Sequence, residues 1–214
     1  MRTLVLLGPQ LARQHGAAGW AASPLLNRLH RGISDAAVEV LGPAAGASVA
    51  DIGFGGGVGL DLLLDAVGPT GRVHGVELSP LSVRRARLLH RAEIRSGRLQ
   101  VHEAPVERLP LADGSLDAAM SVNTIHHFAD LDVALGSVAA TLRPGGRLVL
   151  AFPDPERQTS LALTARHGHR PRPVEEVQRS LRDAGFTTEP PRRAAQVYDL
   201  LVATRDTEPG RLGG

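Results

Sequence analysis

The chain has no cysteine and no lysine, only 3% aromatic residues, and no apolar run long enough to cross a bilayer. Without cysteine there is no disulfide framework, no thiolate nucleophile and no cysteine-ligated zinc or iron–sulfur site, and the redox compartment is left open. All 24 basic residues are therefore arginine, which, with the abundance of alanine and glycine, points to a GC-rich coding bias. The isoelectric point near 10.2 overstates the case for a nucleic-acid partner, because the formal net charge is only +2 and the arginines are spread along the chain. So few aromatic rings also offer no obvious platform on which single-stranded bases would stack. At the start, the apolar run Leu4–Leu7 is too short for a signal-peptide core, so a cytoplasmic location without a membrane span is expected.

What is present fits one folded domain. The 214 residues, 43% hydrophobic and 21% charged, suffice for a real core. Residues 1–46 read as a helical, alanine-rich lead, with an amphipathic helix around Ser34–Leu41. "SVADI" (Ser48–Ile52) is a short apolar run that fits a buried strand, and "LDLLLDAV" reads as the helix after it. "RVHGVEL" is a second strand; Ser79 and Pro80 then supply an N-cap and first-turn proline for a helix with Val83, Ala86 and Leu89 on one face. "RLQVHE" and "SLDAAMSV" are further strands, followed by a helix with Leu135, Val138, Ala139 and Leu142 on one face. "RPGG" (Arg143–Gly146) stops that helix before the strand "RLVLAF". After a Pro/Arg/His-rich stretch, Pro153–Pro173, comes a helix with Val174, Val177, Leu181 and Ala184 on one side, closed by Gly185. Extended segments Phe186–Arg193 and Gln196–Thr204 follow, and residues 207–214 read as a loose tail. Strand and helix alternate, which predicts an α/β fold: a doubly wound, Rossmann-like sheet, largely parallel.

Between the first strand and its helix, "ADIGFGGGVGLD" holds five glycines among the seven residues Gly53–Gly59. A glycine loop that opens a helix brings backbone N–H groups to a ligand at the C-terminal strand ends. The spacing fails the dinucleotide pattern G-x-G-x-x-G, since the sixth positions are Val58 and Leu60, and no Gly-Lys-Ser/Thr is present. Asp51 would repel a pyrophosphate but suits a positive amino group, although an acid there also serves to hold loop amides. Glu77, twenty residues after Gly57, ends the second strand, where a carboxylate accepts hydrogen bonds from vicinal ribose hydroxyls. A ribose, an amino group and no phosphate together describe S-adenosylmethionine.

Four stretches in order, "VADIGFGGG", "GVELSPLSVRRAR", "VERLPLADGSLDAAMSVNTIHHF" and "ATLRPGGRLVLAF", resemble the successive motifs of class I S-adenosylmethionine-dependent methyltransferases of the ubiquinone/menaquinone-biosynthesis-like branch. The resemblance covers about residues 47–152 and implies a cofactor-binding unit over 47–206, preceded by a helical cap segment and including an antiparallel strand near the C-terminus. Carried over by position, it implies that Asp51, Gly53 and Gly55 line the methionine side, that Gly57 shapes the loop, that Glu77 holds the ribose and that Leu78 packs on the adenine. The family places an acid for the adenine amino group where this chain has Pro105. Val106 retains the adjacent backbone N–H, and the nearest acids are Glu103 and Glu107.

Methyl transfer is an in-line displacement that depends mainly on alignment, with removal of a proton in some cases. The loop "SVNTIHHF" (Ser121–Phe128) faces the methyl group in this fold. Its His126 or His127 is the candidate general base, set against packing and capping of the next helix, and Asn123 is a candidate cofactor contact. His167 and His169 lack a third convergent ligand, so no metal is expected. Arg157–Arg172 stands where family members insert a substrate cap. The expected activity is methyl transfer to a small molecule. Its rivals are a binding module, cyclase or decarboxylase on the same fold, an RNA or protein methyltransferase, and, weakest, a dinucleotide oxidoreductase.

Overall fold

The computed structural model describes residues 31–153, 172–194 and 198–207. Residues 31–41 are helical (α1). Then follow β1 (Ser48–Ile52), α2 (Val58–Val67), β2 (Arg72–Glu77), α3 (Pro80–Leu89), α4 (Arg91–Arg95) and β3 (Leu99–Glu103). The second half comprises β4 (Leu116–Val122), α5 (Leu131–Thr141), β5 (Leu142–Pro153), α6 (Val174–Asp183), β6 (Phe186–Thr188), β7 (Arg192–Ala194) and β8 (Tyr198–Arg205).

The strands form one sheet in the order β3-β2-β1-β4-β5-β8-β6, with β7 also on β8. The first five are mutually parallel, and β8 alone runs against its neighbours. Apolar residues alternate between the two faces of the strands, so each face acquires its own core. On one face Ile52, Leu148, Leu150 and Phe152 meet α5 and α6; on the other Val49, Val73 and Val149 meet α1, α2 and α3. Strand order reverses between β1 and β4, and the crevice at their C-terminal ends is where such folds take ligands.

The alternating α/β fold with a mostly parallel sheet and a late antiparallel strand is as the sequence implies. Details differ for physical reasons. Leu89 is 64% exposed, because α3 ends there and His90 turns inward in its place. Leu142 begins β5 instead of closing α5. Arg143–Gly146 is carried as an irregularity where pairing shifts from Leu116–Leu142 to Ala118–Arg147. The extended segment Phe186–Arg193 is split into β6 and β7 around Pro190 and Pro191, which cannot donate to a ladder. The expectations for residues 1–30, for 208–214 and for most of the Arg157–Arg172 stretch, including His167 and His169, lie outside the described residues.

Candidate functional site

Three chain segments converge at the C-terminal ends of β1, β2 and β4. The β1–α2 loop is pinned to β2 by Gly53 N–H donating to Val76 O at 2.7 Å. Glu77, the last residue of β2, grips the same loop. Its Oε2 accepts from Gly55 N–H at 2.9 Å, and its Oε1 accepts from Ser79 N–H at 2.8 Å. One carboxylate therefore fixes both the glycine loop and the turn into α3, whose N-cap is Ser79 and whose first residue is Pro80, as expected. A carboxylate has about four lone-pair sites, so two remain for further donors.

Asp51, the penultimate residue of β1, lies close to this carboxylate and is 3% exposed. Burial, and secondarily the charge of Glu77, push its pKa up to about 7. The first turn of α2 comes close to it only because residue 59 is glycine: a Cβ there would collide with Asp51 Oδ2 and with Met120 Cε. Gly57 is the N-cap of α2 in left-handed conformation. The buried His90 packs nearby, with Nδ1 3.7 Å from Asp61 Oδ1.

Leu78 is 66% exposed, a large apolar side chain held out at the end of β2. Across from it, Val106 opens a short 3-10 turn, Val106–Arg108, after Pro105. Glu107 does not take the place of the acid missing at Pro105. Its Oε1 accepts from Ala129 N–H at 2.9 Å and Asp130 N–H at 3.4 Å, tying this turn to the loop after β4. Glu103 is exposed at the end of β3.

That loop begins with Asn123, whose φ of 57° is a left-handed conformation uncommon outside glycine and whose N–H donates to Ala151 O at 2.6 Å. The Thr124 hydroxyl then lies 3.2 Å from Gly53 O and 2.9 Å from Val122 O. A Cβ on Gly53 would strike the Thr124 side chain, so loop and glycine segment fit only with glycine at 53. His126 is half-buried and His127 exposed, with ring centroids 4.2 Å apart. The N-cap of α5 is Asp130, whose carboxylate accepts from Asp132 and Val133 N–H, each at 3.1 Å. The packed residues of the turn are Ile125 and Phe128. Arg172, just ahead of α6, anchors the same loop, donating to Phe128 O at 3.3 Å and pairing with Glu176 at 2.6 Å.

Gly53 and Gly55 are thus bonded to the end of β2, with Gly57 opening α2 and buried Asp51 close to the Glu77 carboxylate. Asn123 joins them through its neighbour Thr124, with His126 and His127 on the same short loop. Sequence reasoning gave no role to Thr124 or His90, and did not foresee that Glu107 ties its turn to the loop after β4. No local sequence signal marks Thr124, two residues past the end of β4, as the partner of Gly53. Among the described residues no group of three or more histidine, aspartate or glutamate side chains could hold a metal, and no helix is long and apolar enough to cross a membrane.

Buried acid, glycine loop and strand-end carboxylate at the switch point of this sheet define a nucleoside-binding α/β domain of the methyltransferase type. Residues 50–150 match the family model described as a methyltransferase domain. It is 30% identical over 157 residues to the O-methyltransferase resE of Aspergillus sclerotiorum, covering 68% of this chain and 57% of that one. To the demethylmenaquinone methyltransferase of Thermus thermophilus it is 35% identical over 122 residues, 56% of this chain and 54% of that one. The chain spans about half the length of these curated relatives. A solved S-adenosylmethionine-dependent methyltransferase from Aquifex aeolicus shares the fold with a TM-score of 0.68 at 20% identity, covering 83% of this chain and 92% of that one.

Proposed function

We propose that the protein binds S-adenosylmethionine and transfers its methyl group to a small-molecule acceptor. The observation that carries this reading is the Glu77 carboxylate: it is fixed by Gly55 and Ser79 N–H, keeps acceptor capacity for a vicinal diol, and stands beside buried Asp51. The residues fit the cofactor's chemistry. Two adjacent carboxylates, one of them held near neutrality, favour a ligand with positive charge over a pyrophosphate. Glu77 is assigned to the ribose hydroxyls, Leu78 to the adenine face, Val106 N–H to the ring edge, and Asp51 with Gly53 and Gly55 to the methionine end. Gly57 shapes the loop, and Asn123 is assigned a contact with the pocket.

When bound, the cofactor supplies an electrophilic methyl on a sulfonium. The chain's contribution is to align the acceptor, exclude water and, for acceptors that carry a proton, accept it at an imidazole nitrogen of His126 or His127. Both histidines lie on the loop that Thr124 joins to Gly53, and the helix cap is made by Asp130, which supports the proton-transfer role over the capping one. The relatives' names, an O-methyltransferase and a quinone-precursor methyltransferase, support a small organic acceptor.

An acceptor screen with isotope-labelled methyl tests the reading. Label on a phenolic or quinol compound supports it, whereas tight cofactor binding with label that never leaves would favour a cyclase or regulatory module on this fold. His127→Ala and His126→Ala lower turnover if either is the base. Unchanged turnover with lower thermal stability selects packing.

A further inference from the structure

Six of the chain's 24 arginines fall between Arg84 and Arg98, with Glu93 as the sole acid in that span. Because the whole chain has a formal net charge of only +2, everything outside this span is net negative. The structure places five of these arginines on nearly one helix, while Arg98, just ahead of β3, donates to Leu64 O at 2.8 Å and Gly68 O at 3.0 Å. Backbone hydrogen bonding runs across the bend between α3 and α4, from His90 N–H to Ala86 O at 2.9 Å and from Ile94 N–H to His90 O at 3.0 Å. Val83, Ala86 and His90 point into the core. Arg84, Arg87, Leu88, Leu89, Arg91 and Arg95 are exposed. Leu88 is 57% and Leu89 64% exposed, two of the four exposed large apolar side chains among the described residues.

Adjacent leucines standing out from a field of guanidinium groups have the chemistry of an interfacial helix. The apolar side chains enter the acyl boundary while arginines pair with lipid phosphates. We propose that the α3–α4 ridge docks the protein on the surface of an anionic lipid bilayer. Charge complementarity selects this occupant. Residues 1–30 contain three arginines and no acid, so their composition offers no complementary charge, and a second copy of the ridge would set like charges face to face. Single-stranded RNA recognition relies on aromatic stacking, and residues 80–98 contain no phenylalanine, tyrosine or tryptophan. The surface does not depend on which acceptor the site takes.

The test is co-sedimentation of the full chain with vesicles of phosphatidylcholine alone and with phosphatidylglycerol added, over a range of salt. The expected result is partition onto the anionic vesicles only, weakening as salt rises. Arg84→Glu with Arg91→Glu, and separately Leu88→Ser with Leu89→Ser, each lower partition at least about tenfold. Melting temperature and S-adenosylhomocysteine affinity stay unchanged in both variants, which separates loss of docking from loss of fold. No partition onto anionic vesicles, equal partition onto neutral ones, or partition unaltered in both variants overturns the proposal. Retention on RNA without retention on vesicles assigns the ridge to nucleic acid and overturns it equally.

Discussion

On the proposed assignment, Asp51 makes cofactor binding a proton-releasing event. In the free protein its pKa stands at about 7, because burial disfavours the charge and Glu77 adds repulsion. A cationic ligand at the loop reverses that balance and holds the carboxyl ionised, so below neutrality binding must expel the proton. With a free-state pKa of about 7, roughly nine in ten molecules carry the proton at about pH 6, and affinity falls about fivefold from pH 7 to 6 and about fiftyfold from 7 to 5. The assay is calorimetric titration with S-adenosylmethionine in buffers of differing ionisation enthalpy, which reads proton release directly. At about pH 6 the expected release is close to one proton per site, falling towards zero well above pH 7. Asp51→Asn, nearly isosteric, should flatten the dependence. Zero release at pH 6 in the wild type, or equal release in the Asn variant, would refute the assignment of this carboxyl.

Other expectations follow from the same geometry. Glu77→Ala leaves Gly55 and Ser79 N–H without their acceptor and should weaken S-adenosylhomocysteine binding by about 1–3 kcal/mol, read by titration; unchanged affinity moves the ribose contact elsewhere. Gly59→Ala forces a methyl group against Asp51 and Met120 and should cost about 1–3 kcal/mol in denaturant unfolding. His74 stacks on His102 with ring centroids 5.9 Å apart; burial, then the charges of His102 and Arg72, lower its pKa to about 4. The unfolded chain binds this proton more readily, so stability should be lost as pH falls from about 6.5 to about 4, by about 1–2 kcal/mol after allowing for screening at a half-exposed site. His74→Phe should remove that slope in acid unfolding; an unchanged slope would place its origin in other groups.

The strands were legible because a buried parallel strand is a short apolar run between turn residues, and "SVADI" coincides with β1. The glycine loop and Glu77 were legible because a close backbone approach demands glycine and their spacing is local. Thr124 with Gly53 and Glu107 with Ala129 were not, since these pairs are joined by tertiary folding and neither residue type is distinctive alone. Leu89 was misplaced because helical periodicity does not reveal where a helix ends, and one residue further on His90 takes the inward position. The arginine ridge escaped composition entirely: total charge is blind to like charges gathered on one surface and balanced elsewhere.

The central claim is that these carboxylates hold a cationic nucleoside rather than a dinucleotide. Parallel calorimetric titration with S-adenosylmethionine, S-adenosylhomocysteine and NAD tests it most directly. Micromolar binding of the first two, weakened in Glu77→Ala, with no heat from NAD, is the predicted result. Binding of NAD in their place, or silence from both adenosyl compounds, would contradict it.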